Sequence, residues 1–263
     1  MYNLKKYLIA LVLFNLVTNL FAKETYLNEL VSGSKISFQH WNTEESKITG
    51  YSFFQYEKIS KNGKQFILEK NENTKPDGKV FTKKSLWFDA SYGIPQIYEE
   101  EDFRKDYRIK NIYSGKIVKT YLFKEGKTLE FETDIGSVNA VPLEIFFFFL
   151  RKNFKKILIK EDFYFTLFLP LLAMELEEKG LPSSMSMVQM KTEIGEGIVI
   201  DTPLGLTEAR ELIVYPKSGL LRALLPREKT NFEFVIAESP PHHILQFKIG
   251  KTRHILQELH IPD

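Results

Sequence analysis

Seven of the 22 phenylalanines of this chain fall between Phe146 and Phe165, inside a stretch that runs from Pro142 to Leu172. Phe146 to Phe149 are consecutive. Exposing one such side chain forgoes about 1.5–3 kcal/mol. Leaving Phe146 to Phe149 in water would cost about 10 kcal/mol, comparable with the net stability of a whole domain. Whatever fold this sequence adopts must cover that stretch with its own sheet, a partner or an apolar ligand.

The text around it suits strands. Aromatic residues make up 14% of the 263 residues, and Tyr and Phe favour pleated, half-buried positions. Eight strands are expected before residue 134: Ile36 to Trp41, Tyr51 to Ile59, Gln65 to Glu72, Val80 to Phe88, Gln96 to Asp102, Tyr107 to Tyr113, Ile117 to Phe123 and Thr128 to Glu132. Asn62-Gly63 is a two-residue hairpin signal, and Pro76-Asp77-Gly78, Ser91-Tyr92-Gly93, Ser114-Gly115 and Glu125-Gly126 punctuate the rest. Connections this short join antiparallel neighbours into a meander. Apolar and charged residues alternate in Thr128 to Glu132, as Tyr107 and Ile109 do with Arg108 and Lys110, so one face of the sheet is wet. The acidic run Glu99 to Asp102, with Arg104 and Lys105 close behind, reads as solvated surface.

After Asn139 the period changes. Asn139 can cap a helix and Pro142 is tolerated in its first turn. From Leu143 to Asn153 apolar residues occupy every side, which predicts a helix that is buried all round or faces something apolar. Arg151, Lys152, Lys155 and Lys156 suit its C-terminal end. Phe163 to Leu169 reads as a strand, and Leu171 to Lys179 fits either a strand or a short helix. The meander then resumes with Met185 to Glu193, Ile198 to Thr202, Leu206 to Tyr215, Leu220 to Leu225, Phe232 to Glu238, Ile244 to Ile249 and Thr252 to Leu259. Gly197, Pro203 to Gly205, Lys217 to Gly219 and Pro240-Pro241 mark turns. No Gly-, Ser- or Pro-rich linker divides the chain. The expected architecture is mainly β: a curved antiparallel meander, or half-barrel, with an inserted apolar helix, forming one domain over residues 23–263.

Residues 1–22 are different material. Lys5 and Lys6 precede an apolar run from Leu8 to Val17, and Ala22 ends it with a small residue, which is the pattern of a secretory signal peptide. The run is too short to span a bilayer. The expected location is the periplasm, or another exported compartment, after removal of that segment. The sequence contains no cysteine, which excludes disulfides, a thiol nucleophile, thiolate metal ligands and a lipid-bearing cysteine. Without Lys5 and Lys6, the 36 Lys and Arg residues come into balance with the 34 Asp and Glu, so there is no net attraction for nucleic acid or an anionic membrane.

There is no Gly-rich phosphate loop and no Gly-x-Ser-x-Gly elbow. His242 and His243, if on a strand, point to opposite faces, although His243 and His254 could meet across a hairpin. Glu130 and Glu132 share a face that looks solvated, which would not raise a pKa for acid catalysis. No cofactor, metal or enzymatic activity is expected. The remaining candidates are apolar. Trp87, Phe146, Phe149, Leu150, Phe163, Phe165 and Phe168 could line a cavity, or could simply pack on one another.

The apolar helix Leu143 to Leu150, the Phe-rich strand Phe163 to Leu169, the turn in Ile198-Val-Ile-Asp-Thr-Pro-Leu-Gly205 and the final Glu238-Ser-Pro-Pro-His-His243 are together similar to the lipoprotein-carrier (LolA/LolB-like) superfamily. Within it, the chain most resembles an exported, cysteine-poor branch of unknown function. The resemblance implies a half-barrel whose concave face holds helices and an apolar hollow for acyl chains. The chain departs from it in having one clear helix and no Arg matching a lid lock. Two readings follow. One is a periplasmic protein binding a lipid or lipoprotein acyl chain. The other is a structural or interaction protein of the envelope with a packed core and no ligand. A hydrolase would require a Ser, a His and a carboxylate to converge in one cleft.

Overall fold

The computed structural model describes residues 32–90, 93–160, 162–219 and 231–262. The expected signal peptide and the strand expected at Leu220 to Leu225 lie outside them. A meander of eight strands comes first: β1 (Lys35–Asn42), β2 (Lys47–Lys61), β3 (Lys64–Thr74), β4 (Val80–Asp89), β5 (Pro95–Asp102), β6 (Tyr107–Ser114), β7 (Ile117–Lys124) and β8 (Lys127–Asp134). The insertion follows: β9 (Val141–Pro142), a 3-10 turn over Leu143–Ile145, α1 (Phe146–Ile159), β10 (Phe163–Phe168) and α2 (Pro170–Glu178). The second meander is β11 (Met187–Thr202), β12 (Gly205–Pro216), β13 (Phe232–Ala237), β14 (Ile244–Ile249) and β15 (Thr252–His260).

All fifteen strands form one curved, unclosed sheet. It runs from β8 at one margin inward to β1, across to β15, and out again through β14 to β10 and β9. Every pairing is antiparallel except the short parallel contact of β9 with β10. The two margins, β8 and β9, are joined by only the residues between Asp134 and Val141. A flat sheet of this width would separate them by about 65 Å, whereas the connection reaches at most about 25 Å. The sheet therefore has to curl until its margins approach. The segment around α2 sits in the remaining gap. Lys124 pairs with Glu178 at 3.6 Å, and Ser183 donates to the carbonyl of Glu132 at 3.4 Å.

Helix α1 lies within the curl. Phe146, Leu150, Phe154 and Ile157 form its fully buried stripe at spacings of four, four and three. They pack into one core with strands β1 and β10 to β15. A second core gathers the inward residues of β2 to β8 with Phe168, Ala173 and Met174. Successive helical side chains turn by about 100°, so the consecutive phenylalanines diverge. Phe146 meets Phe165 with ring centroids 5.6 Å apart. Phe147 meets Phe247 at 4.8 Å, Phe148 meets Phe88 at 5.1 Å, and Phe149 meets Phe165 at 4.9 Å.

Several local expectations change. Helix α1 runs on to Ile159 and is not buried all round, because Lys152, Lys155 and Lys156 give it an exposed edge. Asn139 adopts φ 49° in the preceding turn and does not cap the helix, whose 3-10 entry follows Pro142 without a side-chain cap. The segment after Pro170 is a helix, with Pro at its start and Gly180 just past its end. Gly197 marks no turn. β11 is continuous, and its pairing with β12 shifts between Ile194 and Gly197. A Cβ on Gly195 would come within 2.8 Å of Glu211 Cβ, which is why the bulge carries glycine.

Phe154 has no solvent exposure. Phe154→Ala is expected to cost about 3–5 kcal/mol in urea denaturation, while Lys155→Ala on the exposed edge should change stability by less than about 0.5 kcal/mol.

Candidate ligand cavity

The two cores do not meet everywhere. Between α1 and the concave face lies a partly enclosed cavity of about 410 Å³. Ile36 and Phe54, which touch both cores, line it at the seam. One wall is apolar and comes from β1 and β13 to β15, with Phe38, Phe232, Ile244, Phe247 and Leu256. Helix α1 and the turn before it contribute Leu143, Phe147 and Phe148.

The opposite wall is polar, and strand register builds it. Cross-strand neighbours on one face lie side by side. Phe54 stands opposite Asn71, Asn71 opposite Lys84, and Lys84 opposite Glu100. The adjacent row runs Tyr56, Glu69, Leu86, Tyr98, Asn111 and Thr120. The acidic run Glu99 to Asp102 is thus only half surface. Glu100 and Asp102 are 7% and 3% exposed and point inward, because alternation along β5 sends every second residue to the concave side.

Glu100 is well satisfied. Tyr98 and Tyr107 both donate to it, the latter at 2.9 Å, and Lys84 Nζ lies 3.4 Å away. Glu69 keeps part of its surface toward the cavity while sitting deep in the curve. Burial pushes its pKa up to about 7, against a hydrogen bond from Tyr56 and the charge of Lys84. Glu144 is also raised, first by burial, although Asn111 donates to it at 2.8 Å. Burial likewise holds the Tyr98 and Tyr113 hydroxyls well above the ordinary tyrosine value.

Imidazoles occupy the wall between the two sides. His254 stacks on Phe247 at 4.1 Å and meets His40 at 4.3 Å. Burial lowers His254 to about 3 and His40 and His243 to about 4. His243 and His254 both line the cavity, yet among the described residues no group of three His, Asp or Glu side chains could hold a metal ion. Ser52 Oγ lies 2.5 Å from His40 Nε2 and donates to Asn73 Oδ1 at 2.5 Å. Behind His40 stands another imidazole instead of a carboxylate, and a ring held near 4 is a poor acceptor for a hydroxyl proton.

None of the seven apolar residues singled out in the sequence lines this cavity. Phe146, Phe149, Phe163 and Phe165 do come together, but as a ring cluster between α1 and β10 that is not part of the cavity lining. Leu150 is sealed in the same core and Phe168 in the second one. Trp87 falls on the opposite face of β4 from Leu86 and Phe88. The cavity instead takes Phe147 and Phe148, and the polar inward residues Glu69, Asn71, Lys84 and Glu100. A signal for those four existed. Ile67, Glu69 and Asn71 share one strand parity, as do Lys84, Leu86 and Phe88, so polar groups continue an apolar row.

No protein family matches this chain, and no curated protein is detectably similar. Two solved structures are similar. One is a protein from Bacteroides fragilis, provisionally described as exported and with a YmcC-like fold. It has 9% identity and a TM-score of 0.35, covering 87% of this chain and 96% of its own. The other, from Parabacteroides distasonis, is provisionally described as a lipoprotein. It has 10% identity and a TM-score of 0.34, covering 90% of this chain and 99% of its own. No helix among the described residues is long and apolar enough to cross a membrane.

The raised pKa of Glu69 makes stability depend on pH. Between its ordinary value of 4.5 and about 7, the folded state binds more protons than the unfolded state, so Glu69 lowers stability as pH rises. Histidines held neutral act in the opposite direction below their ordinary value of 6.5, where the unfolded state takes up the protons. Comparing wild type with Glu69→Gln isolates the carboxyl group. The variant should gain stability relative to wild type from pH 4.5 to 7 in urea denaturation, with a constant difference above.

Proposed function

We propose that this protein binds an elongated apolar molecule, an acyl chain of a lipid or lipoprotein, in the cavity beside α1, and that it does so outside the cytoplasm. The observation that carries the reading is the cavity of about 410 Å³ between an aromatic helix face and the concave sheet. Its size falls within the usual range for small-molecule sites, roughly 300–1,000 Å³, and a few polar groups converge on one side of an otherwise apolar lining. Phe147 and Phe247 meet edge to face at 4.8 Å in its wall, a rigid apolar surface against which a chain can lie. An acyl-chain ligand also agrees with the likeness to lipoprotein carriers, which stays part of the proposal. The rival reading, an envelope interaction protein with no ligand, does not account for an apolar cavity beside a helix that is otherwise tightly packed.

The neutral fluorophore N-phenyl-1-naphthylamine tests this. It should bind wild type with a blue-shifted emission, and Phe147→Asp should remove that binding while circular dichroism stays unchanged. Phe149→Asp faces Phe163 and Phe165 outside the cavity. It should lower stability yet leave probe binding by the folded fraction intact. A wild type that does not bind the probe, or binding that survives Phe147→Asp, overturns the proposal.

A further inference from the structure

We infer that the polar wall of this cavity is a head-group subsite for a protonated amine, so that the ligand is a cationic amphiphile and not a fatty acid. The inference rests on the cavity holding an apolar chain, and adds the chemistry at the end of that chain.

Charge and geometry both favour an ammonium group. Three carboxyl groups, Glu69 from β3, Glu100 from β5 and Glu144 from the turn before α1, line the same cavity. The charge of Glu100 is felt at Glu144. Lys84 is the cation on this wall, and it is already paired with Glu100. No ion pair among the described residues involves Glu69 or Glu144. Arg151 also lines the cavity, but its Nε donates to the carbonyl of Pro241, and the charge it exerts falls on His242 and His243.

Acceptors are in excess here. The Tyr98 and Tyr107 hydroxyls are both used on Glu100. Glu144 Oε2 is shielded from solvent and has no hydrogen-bond partner. Tyr113 is 6% exposed, and its hydroxyl lies close enough to Glu144 to couple their ionisation. Burial answers the carboxyl excess by favouring protonation of Glu69 and Glu144. An ammonium brings three donors and no acceptor, which suits a wall of three carboxyl groups. A buried ammonium needs carboxylates around it, and aromatic rings such as Tyr56 and Tyr98 add cation–π attraction. On this wall a carboxylate or phosphate head would face three carboxyl groups, with Lys84 engaged on Glu100 and the Nε of Arg151 engaged on the carbonyl of Pro241.

Isothermal titration at pH 7 with dodecylamine, dodecanoate and dodecan-1-ol, each below its aggregation threshold, separates the possibilities. Dodecylamine should bind at least ten-fold more tightly than dodecanoate. Buffers of different ionisation enthalpy should show that amine binding releases protons, as the carboxyl group of Glu69 becomes an ion-pair partner. Glu69→Gln should bring the amine down to the affinity the same variant shows for the alcohol, and should reduce that proton release. Dodecanoate binding as tightly as dodecylamine, or an amine preference that survives Glu69→Gln, overturns the head-group inference. If the alcohol binds and Phe147→Asp abolishes its binding, the apolar-chain reading stands through such a result. If none of the three binds wild type, both fall.

Discussion

The connection between β8 and β9 dictates the form of this molecule. It joins the two outermost strands of a fifteen-stranded sheet with a handful of residues. Width and tether are compatible only if the sheet bends into a trough, and a trough needs contents. The insertion that follows the tether supplies them. Helix α1 enters directly from the β9 margin and lays its buried stripe along one half, while Phe148 reaches the other half. Curvature and filling are therefore one event in the sequence, separated by a few residues. The cavity is what remains where the helix, having packed against both halves, cannot also fill the seam between them.

The run of four phenylalanines shows how local periodicity distributes work. On a strand, Phe146 to Phe149 would have pointed alternately to two faces. On a helix they radiate, and each finds a different wall. Two of the directions are solid core, and two open onto the cavity. The energetic demand that made this stretch conspicuous is met mainly by aromatic partners of the chain itself. What is left of the run, Phe147 and Phe148, faces the cavity.

Much of the fold was legible because turn chemistry and alternation are local. Asn62-Gly63 and Glu125-Gly126 place hairpins unaided, and the eight strands up to Glu132 emerge where their pattern puts them, apart from their ends. The curved, mainly β architecture with an apolar helix inside follows from the same text. The site was less legible, for two physical reasons. Which of four adjacent aromatic residues faces a void depends on the azimuth of α1, and that is set by distant partners such as Phe234 and Phe165. The polar wall was hidden by its own charges. Glu100 looks like part of a solvated acidic run until strand register brings Lys84 beside it and two tyrosine hydroxyls onto it. Leu171 to Lys179 was ambiguous because a short apolar run suits both periods, and only the gap between the sheet margins decides for a helix.

The strands described first and last in the chain, β1 and β15, are neighbours at the middle of the sheet. Their register from Lys35 with His260 to Asn42 with Thr252 is the most distant pairing in sequence. Each meander can zip up from its own hairpins, but the trough has no floor until these two strands meet. Pairing of such high sequence separation carries the largest loop-closure penalty and comes late. A nascent or truncated chain lacking β15 would present two half-sheets, each with a bare central edge able to capture another copy. Strand β15 thus serves as the keystone, and order in the whole sheet waits on its pairing with β1.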